Sequence, residues 1–224
     1  MSDVKAVRIT RLIAIPAVIT LAVTILRVVG ELNHWPMPWF STAGGGGGAL
    51  VGISWLPIVF GPYFALKLAA AGDKPASSGK AILFAFLGLV AFFVAGLLLV
   101  LAMKHPSVLT LGAFILTLLA GFVPLIGWRS LGRVLLAYAL AARIPVLIVM
   151  FYAMRGNGGA GWGTHYDAVA PGFAALPFAQ KYLYMAVMPQ LTLWIGWTII
   201  VGAVFGSIVA AIANRGKQAA PAAV

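Results

Sequence analysis

Long apolar runs alternate with short polar connections along the chain, and the lengths of the runs decide the reading. About 18 apolar residues in a row are enough to cross the hydrocarbon core of a bilayer as a helix. Six such runs are predicted, at about 9–30, 49–71, 81–103, 106–127, 134–154 and 188–213. The third carries no charge, and the fifth carries Arg143 near its middle. The expected fold is all-α, a polytopic membrane bundle of about six transmembrane helices in a single domain over 1–214, with a short disordered cytoplasmic tail at 215–224. The first run leads into Arg27 and Glu31 with no small-residue cleavage site, so it is expected as a retained helix and not a signal peptide.

Composition supports the bilayer over water. Of the 224 residues, 62% are hydrophobic and 8% charged, against about 45–50% and about 25% in a soluble domain. A soluble chain of this size has too much surface to hide that apolar area. The net charge of +11, from 15 Lys and Arg against 4 Asp and Glu, would suggest nucleic acid in a soluble protein. Here the basic residues stand between apolar runs, so no nucleic-acid partner is expected, and anionic membrane lipids are.

Their distribution also sets orientation. Alternate connections collect Lys5, Arg8, Arg11, Lys67, Lys74, Lys80, Arg129, Arg133, Arg215 and Lys217 on one side, and Lys104, Arg155 and Lys181 on the other. The positive-inside rule then puts both termini in the cytoplasm, with the protein integral to the inner or plasma membrane. The chain has no cysteine, which excludes disulfides, thiolate metal sites and cysteine nucleophiles. No motif identifies a cofactor or a reaction.

Two external connections, 32–48 and 155–183, are rich in aromatics, as suits the membrane–water interface. The stretch 173–188 reads as a short interfacial helix before Pro189 redirects the chain. The glycines at 44–48 admit two readings, a nest of backbone N–H groups for an anion or a flexible hinge; with no phosphate-binding lysine following, the hinge is favoured. Gly202, Gly206 and Ala210 recur at four-residue spacing, the pattern of close helix contact. That face is expected inside the bundle, with a seam to another subunit or a second copy as the alternative.

The polar residues within the runs carry what functional signal there is. Thr20, Thr24, Arg27, Glu31 and, if the helix continues, His34 fall on one helical face. Such a face belongs toward the bundle or a wet cavity, and Arg27 and Glu31 are one turn apart and able to pair. Arg143 costs roughly 2.5–3.5 kcal/mol at the centre of a span and cannot shed its proton, so it needs a partner. One reading pairs it with Glu31 to join two helices; the other makes it a binder of an anionic ligand. Gln190 and Trp194 share a side of the last helix near its external end.

Arg27, Glu31, Arg143, Gln190 and Trp194 are therefore the candidate ligand-binding residues of an outward-facing polar pocket. His34, His165 and Asp167, on the same side, form a weaker candidate metal or acid–base set, with interfacial hydrogen bonding as the simpler reading. The expected role is a small transport or ligand-binding membrane protein. The alternatives are an accessory subunit of a larger membrane complex, or a membrane enzyme using the external histidines and carboxylates.

Overall fold

A computed structural model describes residues 8–218 apart from Gly47. Its helices are α1 (Ile9–Leu32), α2 (Pro57–Ala70), α3 (Ser78–Ala102), α4 (Val108–Phe122), α5 (Pro124–Gly127), α6 (Arg129–Arg155), α7 (Phe178–Tyr182) and α8 (Trp194–Gln218). No strand occurs among the described residues. Five helical stretches are long and apolar enough to cross a membrane: α1, α3, α4 with α5, α6, and the run from Phe178 through α8. Lys5 and residues 219–224, the end of the expected tail, lie outside the described residues, and α8 itself continues through Gln218.

The second span departs from its expected bounds. Hydropathy predicts a helix from about residue 49, but α2 begins at Pro57 and has only 14 residues, about 21 Å against a hydrocarbon core of about 30 Å. Pro57 has no N–H to donate and sits naturally at a helix start. The apolar residues before it run as irregular backbone whose polar groups are met elsewhere. Leu50 and Val51 donate their amides to the carbonyls of Pro38 and Trp39 at 2.9 and 3.0 Å. Trp55 Nε1 donates to Leu50 O at 3.1 Å, and Trp197 Nε1 donates to Ser54 O at 2.8 Å.

The end of the chain differs too. No separate interfacial helix precedes Pro189: the backbone stays helical from Phe178, passing through π-helical turns at Leu183–Val187 and Pro189–Leu193 into α8. The wider turn absorbs the missing proline donor without ending the helix.

At the centre of the bundle α8 packs against α2, α3, α4 and α6, while α1 lies against α6. The contacts are made by small residues. A methyl group placed on Gly61 of α2 would lie 2.2 Å from Gly202 O, and one on Gly121 of α4 would lie 2.5 Å from Gly196 Cα. Gly202, Gly206 and Ala210 are all buried within the chain, Gly202 facing Leu135 of α6 and Gly206 facing Gly61 and Ala65 of α2.

The division in α3 is between small inside and large outside. Ala81, Ala85, Gly88, Phe92, Ala95 and Leu99 are buried, whereas Val90, Phe93, Leu97 and Val100 are 61–70% exposed. An outward apolar stripe of that kind suits lipid tails, since close helix contact in lipid relies on small residues and not on apolar bulk.

Candidate functional site

The polar face of α1 turns inward. Thr20, Thr24, Arg27 and Glu31 are buried. Thr20 Oγ1 donates to Pro16 O at 2.7 Å and lies 2.8 Å from the Tyr138 hydroxyl of α6, and Thr24 Oγ1 donates to Thr20 O at 2.9 Å. The helix ends before His34, which has a left-handed backbone (φ 55°) and an exposed side chain. His34 therefore leaves the face it would have shared. It borders a shallow surface depression with Glu31, Trp35 and Phe40.

Glu31 is 1% exposed and gathers several donors. Arg27 Nε donates to Oε1 at 2.7 Å. The backbone N–H of His165 donates to Oε2 at 2.9 Å, and His165 Nδ1 lies 2.6 and 2.7 Å from the two oxygens. With a carboxylate as acceptor, Nδ1 carries the imidazole proton and Nε2 presents its lone pair. Nε2 has no hydrogen-bond partner among the described residues. Burial pushes the His165 pKa below its ordinary value, against the upward pull of the Glu31 hydrogen bond.

The expected Arg143–Glu31 contact is not formed. Sequence spacing could not show that a backbone amide and an imidazole from the loop after α6 would reach Glu31 alongside Arg27. Arg143 is 4% exposed, and its surroundings are different. Nη1 donates to Gln190 Oε1 at 3.5 Å, and the guanidinium lies over the Trp194 ring, 4.9 Å from its centroid. Nε and Nη2 have no hydrogen-bond partner. These two nitrogens share one edge of the guanidinium plane, the edge that grips a carboxylate or phosphate with two parallel hydrogen bonds.

One cavity of about 470 Å³ brings most of the candidates together: Arg27, Arg143, His165, Gln190 and Trp194 all border it. Glu31 stands behind Arg27 and His165 and does not line it. The glycine run lines the same cavity and is fastened there, because Arg27 Nη2 donates to Gly46 O at 2.7 Å and to Ser41 O at 3.3 Å. Those carbonyls are acceptors for an arginine and form no nest of N–H groups for an anion. The same arginine packs closely on Gly52, where a Cβ would come within 2.8 Å of Arg27 Nη1. The apolar wall includes Val23, Met103, Val146, Met150 and Met185. Gln190 sits on the π-helical turn at Pro189–Leu193, with its Nε2 3.6 Å from the Met150 sulfur.

Asp167 has a local task. Oδ2 accepts from Gly163 N at 2.9 Å, and Oδ1 accepts from Thr164 N at 2.8 Å and Thr164 Oγ1 at 2.5 Å. Among the described residues, no three His, Asp or Glu side chains converge on a point that could hold a metal. Tyr166 is not among the candidates read from the sequence. It is 3% exposed, borders the cavity, and donates to Thr24 O at 3.5 Å. Burial raises its pKa. Its one sequence signal is its position between His165 and Asp167 in a glycine-rich loop. In comparisons with protein-family models, curated proteins and solved structures, nothing matches this chain.

Proposed function

We propose that this protein crosses the cytoplasmic membrane six times with both termini in the cytoplasm, and that its cavity opens outward to bind an organic anion for recognition or transport. The sixth crossing consists of α2 together with 49–56. Irregular backbone is tolerated at membrane depth where it is covered by protein or lines a cavity, and Ala49, Gly52, Ile53 and Ser54 of this stretch line the cavity. The basic residues then divide by side as the positive-inside rule requires.

One observation carries the ligand assignment: Arg143 borders the cavity with Nε and Nη2 unsatisfied, and Glu31 is engaged by Arg27 and His165. A buried donor without an acceptor costs about 1–3 kcal/mol, more when charged. Both nitrogens are buried in the structure, so an acceptor in the cavity reaches them once the guanidinium edge shifts toward it. An oxyanion that draws the edge in this way satisfies both. Gln190 and Trp194 hold the group from its other edge and its face, which orients it for that encounter. A docking role loses its strongest candidate surface, because Gly202, Gly206 and Ala210 are occupied within the chain.

The test is equilibrium binding of decanesulfonate, an amphipathic anion of fixed charge, to protein purified in an uncharged detergent. Saturable binding that is lost in Arg143→Gln, with the variant still folded and monodisperse, is the expected result. Equal binding by native protein and variant refutes the assignment.

A further inference from the structure

Two features of the cavity are not explained by anion binding alone: a histidine whose free nitrogen has no partner, and a buried carboxylate fixed behind it. We propose that the cavity takes up its amphipathic anion together with one proton, and that the proton is held on His165 Nε2. This rests on the preceding reading of the cavity as an anion site and assigns it a second ligand.

The geometry separates the two ring nitrogens. Nδ1 is committed to Glu31, with both carboxylate oxygens within 2.7 Å, and the His165 backbone amide ties the same residue to α1 at 2.9 Å. The ring lies against Tyr166, with centroids 3.8 Å apart and the planes tilted by 43°. It can neither rotate freely nor exchange Nδ1 for Nε2 without losing those bonds. The lone pair on Nε2 is the acceptor left to the His165 side chain, and the residue borders the cavity. A carboxylate on Nδ1–H stabilises the imidazolium once Nε2 is protonated.

The charges around the ring set the direction of coupling. Glu31 and Arg27 face it from α1, Arg143 borders the same cavity from α6, and Tyr166 and Asp167 flank it in its own loop. With the cavity empty, burial and then the positive charge of Arg27 disfavour the imidazolium, which holds the His165 pKa below its ordinary value. An anion in the cavity offsets that positive charge and favours the imidazolium. Linkage makes the effect reciprocal: the anion raises proton affinity, and the proton raises anion affinity.

The sign follows. The His165 pKa is higher with anion bound than without, so affinity strengthens as pH falls from the bound-state pKa toward the free-state pKa, and is flat outside that window. One linked proton gives a limiting slope of about tenfold in Kd per pH unit. The apolar wall with its three methionines, Met103, Met150 and Met185, adapts to an alkyl chain of variable shape, which is why the anion is assigned as amphipathic.

The experiment is calorimetric titration of the detergent-purified protein with decanesulfonate, whose charge is constant from pH 5 to pH 8.5, in pairs of buffers that differ in ionisation enthalpy. The expected result is binding that tightens several-fold per pH unit through the window, with up to one proton taken up per anion. His165→Gln keeps an N–H for Glu31 and is expected to bind without proton uptake. The double variant His34→Gln/His105→Gln removes the two exposed histidines and is expected to retain full uptake. This second variant tests the assignment even if His165→Gln does not fold. Native binding without proton uptake at any pH overturns the proposal while leaving the anion site standing. Uptake that persists in His165→Gln, or vanishes in His34→Gln/His105→Gln, also overturns it. If native protein shows no saturable binding at any pH, the anion-site reading fails, and the proton proposal fails with it.

Discussion

Replacing Glu31 by glutamine is the sharpest test of the polar core, because it removes one charge and changes shape very little. In the native protein the carboxylate accepts from Arg27 Nε at 2.7 Å, from His165 N at 2.9 Å and from His165 Nδ1 at 2.6 Å. Glutamine keeps one oxygen and turns the other acceptor into a donor, which then opposes a donor. Arg27 is left as a buried charge, 7% exposed, held among the described residues by the carbonyls of Gly46 and Ser41. Removing one partner of a buried ion pair costs about 3–5 kcal/mol. For a chain of this length each kcal/mol is worth about 2–4 °C, so Glu31→Gln is expected to unfold about 10 °C below the native protein. The assay is thermal unfolding in one detergent at one scan rate, followed by helical circular dichroism. Arg27→Gln/Glu31→Gln should recover part of the loss, because the uncompensated charge is gone. A Glu31→Gln midpoint within about 2 °C of native would refute the account of Glu31 as the joint between α1 and the loop that carries His165.

Arg143 should behave in the opposite way. Arg143→Met removes two unsatisfied donors and keeps apolar volume beside Trp194, so stability should be unchanged or raised by about 1–3 kcal/mol, measured by the same thermal assay, while anion binding disappears. Gly61→Ala places a methyl 2.2 Å from Gly202 O, a backbone atom that cannot step aside; a loss of about 1–3 kcal/mol or more is expected. Its control, Gly96→Ala, meets nothing within 4 Å and should be neutral or stabilise by up to about 1 kcal/mol. The cysteine-free sequence makes topology direct to measure at two exposed positions: Thr42→Cys should react with an impermeant maleimide on intact cells, and Ala76→Cys only after permeabilisation. The reverse pattern would invert the orientation.

Much of the helical framework was legible because crossing a bilayer demands long apolar runs, and α1, α3 and α6 announce themselves by length alone. The start of α2 was not legible from hydropathy, since the irregular segment before it is as apolar as a helix. Gly52 and Pro57 were the local signals that propensity could have used. The inward face of Thr20, Thr24, Arg27 and Glu31 followed from 3.6-residue periodicity, which does not depend on tertiary structure. The partner of Arg143 did not follow, because pairing is decided by which groups arrive first and closest. His165 reaches Glu31 across 134 positions, through a loop whose path is set by Asp167 and several glycines. Arg27, Gln190 and Trp194 could be placed on one side of the bundle from their positions near helix ends, and Arg143 at mid-span, but their meeting in one cavity depended on the π-helical turns that continue the last helix through Pro189.

The pairing of Arg27 with Glu31 inside a single helix bears on biogenesis. Synthesis runs from the N-terminus, so α1 reaches the bilayer long before His165 has been translated. With acid and base one turn apart, the nascent segment carries its own counterion and is electrically neutral at that end while it waits. Had the acid depended on α6 for its counterion, an unmatched charge would face lipid until four more segments had emerged. The local pair makes early insertion of α1 tolerable, and the later arrival of the imidazole converts a self-contained segment into a fixed part of the finished protein.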